Sequence, residues 1–166
     1  MTQRARVLFV CTGNVARSPL LAAMVEARDP GWSVRSAGTH ASDGQAVSVR
    51  TLAAWATVTG LPDRALRSHR SRGLDAELVA WPDLIVAVEA DQVRALRRAY
   101  PAAAPRAVSL AQLLAAPGDL AAITRDLAAL EPDAAFDVED PAGGDAVAYE
   151  AAARRLWDLT GDLVAR

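Results

Sequence analysis

The chain has no lysine: all 18 of its cationic side chains are arginine. They are scattered rather than clustered, and 20 acidic residues bring the formal charge to −2, so no basic face for nucleic acid is indicated. Cysteine occurs once, at Cys11. That excludes an internal disulfide and any cysteine-rich metal site, and no metal or other cofactor is expected. A free thiol fits a reducing compartment, which points to the cytoplasm. There is no apolar run long enough to span a bilayer and no signal-peptide pattern, so no membrane partner is expected. The sequence also lacks internal repeats, a linker and a low-complexity tail.

What is present is a chain of 166 residues, 52% of them apolar, which suits a single domain over residues 1–166 with a substantial core. Its organising stretch is near the start. Residues 4–10 form an apolar, β-branched run that reads as a buried strand. Cys11-Thr12-Gly13-Asn14-Val15-Ala16-Arg17-Ser18-Pro19 follows, turning through Gly13-Asn14 and placing Arg17 six positions after Cys11. Residues 20–27 then read as a helix, with Pro19 in its first turn, where a missing N–H costs nothing. A short loop leading from a strand end into a helix N-terminus points backbone N–H groups inward and makes a nest for a tetrahedral oxyanion. Arg17 can close that nest with a two-pronged guanidinium. The same field favours a thiolate, which makes Cys11 a candidate nucleophile. Taken alone, Cys11 could equally be a buried structural cysteine; the strand before it and the helix after it favour the chemical reading.

Further strands are expected over 32–36, 83–88 and 107–110, with helices over 46–58, 91–99, 117–130 and 147–163. Tyr149, Leu156 and Leu159 should face inward on the last of these. Strands alternating with helices give an α/β fold, a small three-layer arrangement with a four-stranded parallel sheet flanked by helices and the anion-binding loop after the first strand. Glu89 falls at the end of the third strand, where α/β sheets build their sites, although a helix-start carboxylate is an equal reading. Residues 137–145 form an acidic loop. Asp140, stiffened by Pro141, is one candidate proton donor there, and Asp137, Glu139 and Asp145 are its neighbours.

The segment from Cys11 to Pro19, together with the Asp140-Pro141 pair near the other end, resembles the low-molecular-weight protein tyrosine phosphatases over nearly the whole chain. The resemblance implies metal-independent phosphomonoester hydrolysis through a phosphocysteine on Cys11, with Arg17 binding the phosphoryl group and Asp140 as general acid. Thr12, Gly13, Asn14, Val15, Ala16, Arg17 and Ser18 would form the phosphate loop, and Ser18 would hydrogen-bond the sulfur. Ser36, in a Ser-Ala-Gly turn over 36–38, and His69 would brace Asn14, while Glu89 would lie near Arg17. The implied partner is a phosphorylated protein or a small phosphoester, and the implied assembly a monomer or weak dimer.

Three positions depart from the pattern of many relatives. Ala16 replaces a second cysteine before the arginine. Ala142-Gly143 follow Asp140-Pro141 where aromatics often wall the pocket. The loop over 39–44 likewise lacks an aromatic, so tyrosine selectivity is not implied as strongly as the chemistry. Phosphoarginine-directed relatives tend to carry threonine where this chain has Val15, which favours an ordinary phosphomonoester. A single-cysteine arsenate reductase would need an external thiol, and a phosphate-binding pseudophosphatase module would not need Cys11, Arg17 and Asp140 together. The segment over 117–130 is longer than in most relatives.

Overall fold

The apolar run that precedes the loop forms the central strand β1 (Arg6–Cys11). In the computed structural model the described residues are 6–166, apart from the side chain of Asp126; Arg4 and Ala5, expected to begin the strand, lie outside them. The chain continues through α1 (Arg17–Arg28), β2 (Ser33–Gly38), α2 (Val49–Thr59), α3 (Arg64–Ser68), α4 (Ala76–Ala80), β3 (Leu84–Ala87), α5 (Ala90–Ala99), β4 (Ala107–Ser109), α6 (Leu110–Ala115), α7 (Leu120–Ile123) and α8 (Ala146–Val164). The four strands pair in parallel in the order β2-β1-β3-β4. This is the α/β sheet expected from the alternation of strands and helices.

Strand geometry sends alternate side chains to opposite faces. Val7, Phe9 and Cys11 therefore enter the core shared with α1, α2 and α8, while Leu8 and Val10 enter the one shared with α4 and α5. Burial on both faces explains why β1 is uniformly apolar rather than alternating. From β1 the chain crosses first to β2 on one side and later to β3 on the other. The C-terminal end of β1 is thus the point where the strand order reverses, the place where open α/β sheets leave a crevice. Cys11 ends that strand and faces the larger core, so its position is set by the sheet itself.

Helix α8 closes the larger core, with Leu156 and Leu159 buried as expected and Tyr149 half-buried against it. Its start is capped by Asp145, whose carboxylate accepts the Ala148 N–H at 3.1 Å. At the other end of the packing, Arg28 stacks over the Trp157 ring at 3.6 Å and donates to the Trp157 carbonyl, tying α1 to α8.

Several expectations are corrected. The segment over 117–130 is not one helix: α7 is four residues long and is followed by a 3-10 helix over Thr124–Ala129. Asp119 caps α7, but Pro117 and Gly118, with its φ of 107°, isolate it from α6. The second helix starts at Val49, not at position 46, because Ser48 supplies the cap by accepting the Thr51 N–H. Helices α3, α4 and α6 were not anticipated; at five, five and six residues they are too short to display a helical period. Strand β2 runs through the expected turn, as far as Gly38.

Gly38 is a position where only glycine fits. A Cβ there would lie 2.5 Å from the Thr12 carbonyl and 3.1 Å from the Asn14 backbone nitrogen. Both are backbone atoms of the loop after β1, so neither can swing aside. Gly38→Ala should therefore push the loop outward and cost about 1–3 kcal/mol, typical of overpacking in a tight site. Urea unfolding, with phosphate binding followed in parallel, measures this. A variant as stable and as competent as the parent would refute the close-contact argument.

Candidate active site

The loop over 11–18 owes its shape to Asn14. Of the two expected turn residues, Asn14 takes a left-handed conformation, φ 53°, and Gly13 does not. Asparagine tolerates this region better than other side chains because it can bond locally. Here every polar group of its side chain is used. Nδ2 donates to Ser18 Oγ and to Ser36 Oγ, both at 2.9 Å, and Oδ1 accepts the Arg72 N–H at 2.9 Å. The Asn14 carbonyl receives His69 Nε2 at 2.8 Å, which sets the Nε2–H tautomer. Ser36 and His69 therefore brace the loop from β2 and from the segment after α3. Thr51 of α2 adds a hydroxyl contact to the Val15 carbonyl at 3.4 Å.

The sulfur lies inside this frame. Cys11 is buried, with Sγ 3.0 Å from Ser18 Oγ and 3.3 Å from the Asn14 backbone N–H that donates to it. Ser18 Oγ already accepts from Asn14, which leaves its hydrogen for Cys11 Sγ or for the Ala37 carbonyl at 3.3 Å. The Asn14 N–H is thus aimed at the sulfur, and the Ser18 hydroxyl is placed to be a second donor to it. Helix α1 begins directly afterwards with Ala16 at its N-cap, and no side chain caps its first turn. The positive end of its dipole is thus turned toward the same concavity.

Arg17, with 2% of its side chain exposed, is the most buried charge of the site. Its Nη1 bonds a Glu89 carboxylate oxygen and the Val138 carbonyl, the latter at 2.9 Å. Its Nη2 bonds Asp140 Oδ2 at 2.7 Å. Glu89 thus fulfils both roles open to it in the sequence. It pairs with Arg17, and it is the N-cap of α5 in a capping box with Gln92. Gln92, 3% exposed, is the residue sequence reasoning missed. Its Oε1 accepts the Val88 and Glu89 N–H groups, and its Nε2 donates to Glu89 Oε2 and to Thr12 Oγ1. A carboxylate followed three residues later by glutamine was the available signal.

The acidic loop sorts its own carboxylates. Asp137 Oδ1 accepts the Ala90 N–H at 2.7 Å and so serves the start of α5, while Asp145 caps α8. Asp140 instead reaches Arg17, with its other oxygen accepting the Ala142 N–H at 3.0 Å. The loop is held down by the Val138 N–H on the Val88 carbonyl and by Arg50 on the Gly144 carbonyl. Cys11, Arg17 and Asp140 are thus gathered at the C-terminal end of β1, along with Thr12 to Ser18. Among the described residues no group of three or more His, Cys, Asp or Glu side chains is placed to hold a metal ion, and no helix is long and apolar enough to cross a membrane.

A nest of this kind at a sheet switch point, with a thiol at its floor and an arginine across it, is shaped to receive a tetrahedral oxyanion. The family model described as "Low molecular weight phosphotyrosine protein phosphatase" matches residues 6–166, and the chain belongs to that family of hydrolases. It is 30% identical to the protein-arginine-phosphatase of Geobacillus stearothermophilus over 156 residues, covering 93% of this chain and 90% of that one. A low molecular weight protein tyrosine phosphatase from T. tengcongensis superposes with a TM-score of 0.80 at 27% identity, covering 98% of this chain and 99% of that one. The low molecular weight protein-tyrosine-phosphatase Etp of Escherichia coli (strain K12) is 37% identical over 87 residues, 52% of this chain and 56% of that protein.

His69 gives the site a pH dependence. Burial lowers its pKa below the usual 6.5, the Asn14 hydrogen bond opposes that, and nearby Arg70 adds to it. The unfolded chain then binds the proton more readily than the folded one. Stability contributed by neutral His69 is present above about pH 6.5 and is lost as pH falls through the lower, folded value. Denaturant unfolding across that range should show a decline that His69→Gln, which keeps a donor but cannot titrate, does not share. Parallel declines in both proteins would rule out His69 as the source.

Proposed function

We propose that residues 1–166 act as one domain that hydrolyses phosphomonoesters through a phosphocysteine. The observation that carries this is the convergence of Arg17 and the Cys11 sulfur on one nest, with Asp140 bonded to the guanidinium. In the first step the Cys11 thiolate attacks phosphorus in line with the leaving oxygen. The loop N–H groups and Arg17 hold the equatorial oxygens as charge spreads over them. Asp140 gives its proton to the departing oxygen. In the second step water attacks the phosphocysteine, Asp140 takes a proton from it, and the sulfur leaves toward the Ser18 hydroxyl. Orthophosphate is released and the thiolate returns.

The geometry supports Asp140 over Asp137 and Asp145, which are committed to helix starts. It also supports an exchange at Arg17. An incoming phosphoryl group would take the place of the Asp140 carboxylate on Nη2, freeing that carboxyl to meet the leaving group. Glu89 and Val138 would keep the guanidinium in place meanwhile.

For the substrate we infer an aryl phosphomonoester such as protein phosphotyrosine, bound weakly. The loops over 39–44 and 137–145 carry no aromatic residue, and ring packing against one would add about 0.5–1.5 kcal/mol. A phosphoarginine substrate is the second reading, favoured by the similarity to the Geobacillus arginine phosphatase over nearly the full chain. Val15 argues against it, since it offers no hydroxyl where phosphoarginine-directed relatives tend to carry threonine.

Two measurements test these readings. Across aryl and alkyl phosphates of rising leaving-group pKa, Asp140→Ala should lose about 10²–10⁴-fold in rate with poor leaving groups and less with activated ones. Cys11→Ser should turn over none of them while still binding phosphate. An Asp140→Ala variant harmless across the whole series would reject the acid assignment, and turnover by Cys11→Ser would reject the nucleophile. Separately, kcat/KM for a phosphotyrosine peptide should exceed that for a matched phosphoarginine peptide, with a high KM for both. The reverse order would assign the chain to phosphoarginine.

A further inference from the structure

Gln92 is a neutral side chain in the first turn of α5, buried between two parts of the site. Its amide is fully used. Oε1 accepts the Val88 and Glu89 N–H groups, both at 3.1 Å. Nε2 donates to Glu89 Oε2 at 3.1 Å and to Thr12 Oγ1 at 3.2 Å. Two backbone donors on one end fix which end is the oxygen, since an NH2 turned toward them would meet two N–H groups. Capping the start of α5 needs only that oxygen. The two Nε2 bonds are surplus to the helix, and both lead into the phosphate-binding machinery.

The first bond leads to Arg17. Glu89 divides its carboxylate, with Oε1 on Arg17 Nη1 and Oε2 on Gln92 Nε2. In the exchange proposed above, Asp140 gives up Nη2 to the phosphoryl group. Glu89 is then the carboxylate that still holds the guanidinium while the chemistry proceeds. A glutamate side chain tethered at one oxygen alone could swing about three torsions and carry the fork with it. The second bond leads to Thr12, the residue directly after the nucleophile, whose carbonyl is also held by the His40 N–H at 3.0 Å. One amide therefore ties the entrance of the loop to the anchor of the arginine.

We propose that Gln92 is a positioning residue for phosphoryl transfer. Through Glu89 it sets the Arg17 fork, and through Thr12 the start of the phosphate loop, so that both meet the transferring group in a fixed relation. It touches no reacting atom. The inference rests on the phosphatase reading of the nest. Its effect belongs mainly to the transition state, where charge spreads over the oxygens that Arg17 and the loop hold, and where a misplacement of about 1 Å costs roughly 10²-fold.

Two replacements separate this role from the helix start. Gln92→Glu keeps an oxygen for the Val88 and Glu89 N–H groups but has no Nε2 donor. Gln92→Met fills the volume with neither group and adds no charge. Well below the unfolding midpoint, both should lose about tenfold or more in kcat for an aryl phosphate, with KM within about threefold of the parent. Orthovanadate, whose bound geometry imitates the transferring phosphoryl group, should bind both about tenfold more weakly, and orthophosphate within about threefold of the parent. In a Glu89→Gln background, Gln92→Met should cost less than about threefold in kcat, because the path through Glu89 is already broken. Parent-like kcat and vanadate affinity in Gln92→Glu, with a loss confined to Gln92→Met, would assign Gln92 to the helix start alone and overturn the proposal. A raised KM with unchanged kcat in both variants would overturn it too. Losses that multiply in the Glu89→Gln background would overturn the route through Glu89. A parent protein that turns over no phosphomonoester would reject the phosphatase reading instead, and the vanadate comparison would still decide on Gln92.

Discussion

A guanidinium taken almost wholly out of water must find its charge and its donors satisfied inside the protein, because the desolvation cost is several kcal/mol per ion. Arg17 meets that demand from three places far apart in sequence. Glu89 stands at the end of β3, the Val138 carbonyl and Asp140 belong to the loop before α8, and Arg17 itself opens α1. Satisfying one cation therefore docks the acidic loop onto the sheet and aligns it with the thiol. The backbone bond from Val138 to Val88 extends β3 into that docking. Removing either carboxylate would leave a buried charge partly unpaired, so Glu89 and Asp140 serve the fold as well as the site.

Asn14 does for the loop what Arg17 does for the mouth. A left-handed turn at a non-glycine residue costs about 1–2 kcal/mol of local strain and persists where its surroundings over-determine it. Four residues over-determine it here: Ser18, Ser36, His69 and Arg72. Gly38 lets β2 approach closely enough for Ser36 to be one of them. The nest is then fixed before any anion arrives, and the donors facing the sulfur need no rearrangement to receive a thiolate.

The strongest features were legible because they are local. The β-branched run of β1, the tight loop, Pro19 inside the first turn of α1 and the alternation of strands with helices each carry their own signal. Ser36 and His69 were placed by resemblance, and the structure puts both on Asn14. What escaped reading is tertiary. Gln92 reads as an ordinary helix residue until the sheet brings Thr12 beside it, and the Val138 carbonyl has no side-chain signal at all. The stretch over 117–130 misled because its alanines and leucines favour a helix, whereas Pro117-Gly118 delay its start to Leu120 and the chain passes into a 3-10 helix at Thr124. Among the four acidic candidates the sequence favoured Asp140 through the Asp-Pro pair, but the helix starts that occupy Asp137 and Asp145 are tertiary and had no signal there.

Charge counting at the mouth then constrains the proposed chemistry. Arg17 with ionised Glu89 and Asp140 gives a net charge of −1 before substrate arrives. A phosphate dianion and a thiolate would add three more negative charges within a few ångströms, and in so buried a place that repulsion costs several kcal/mol. The loop N–H groups and the α1 dipole offset part of it. The proposed displacement of the Asp140 carboxylate from Arg17 by the incoming phosphoryl group relieves a further part, while Glu89 is held by Gln92 and Asp137 by the start of α5. Substrate entry and release of the Asp140 carboxylate from the guanidinium are then one exchange at a single cation.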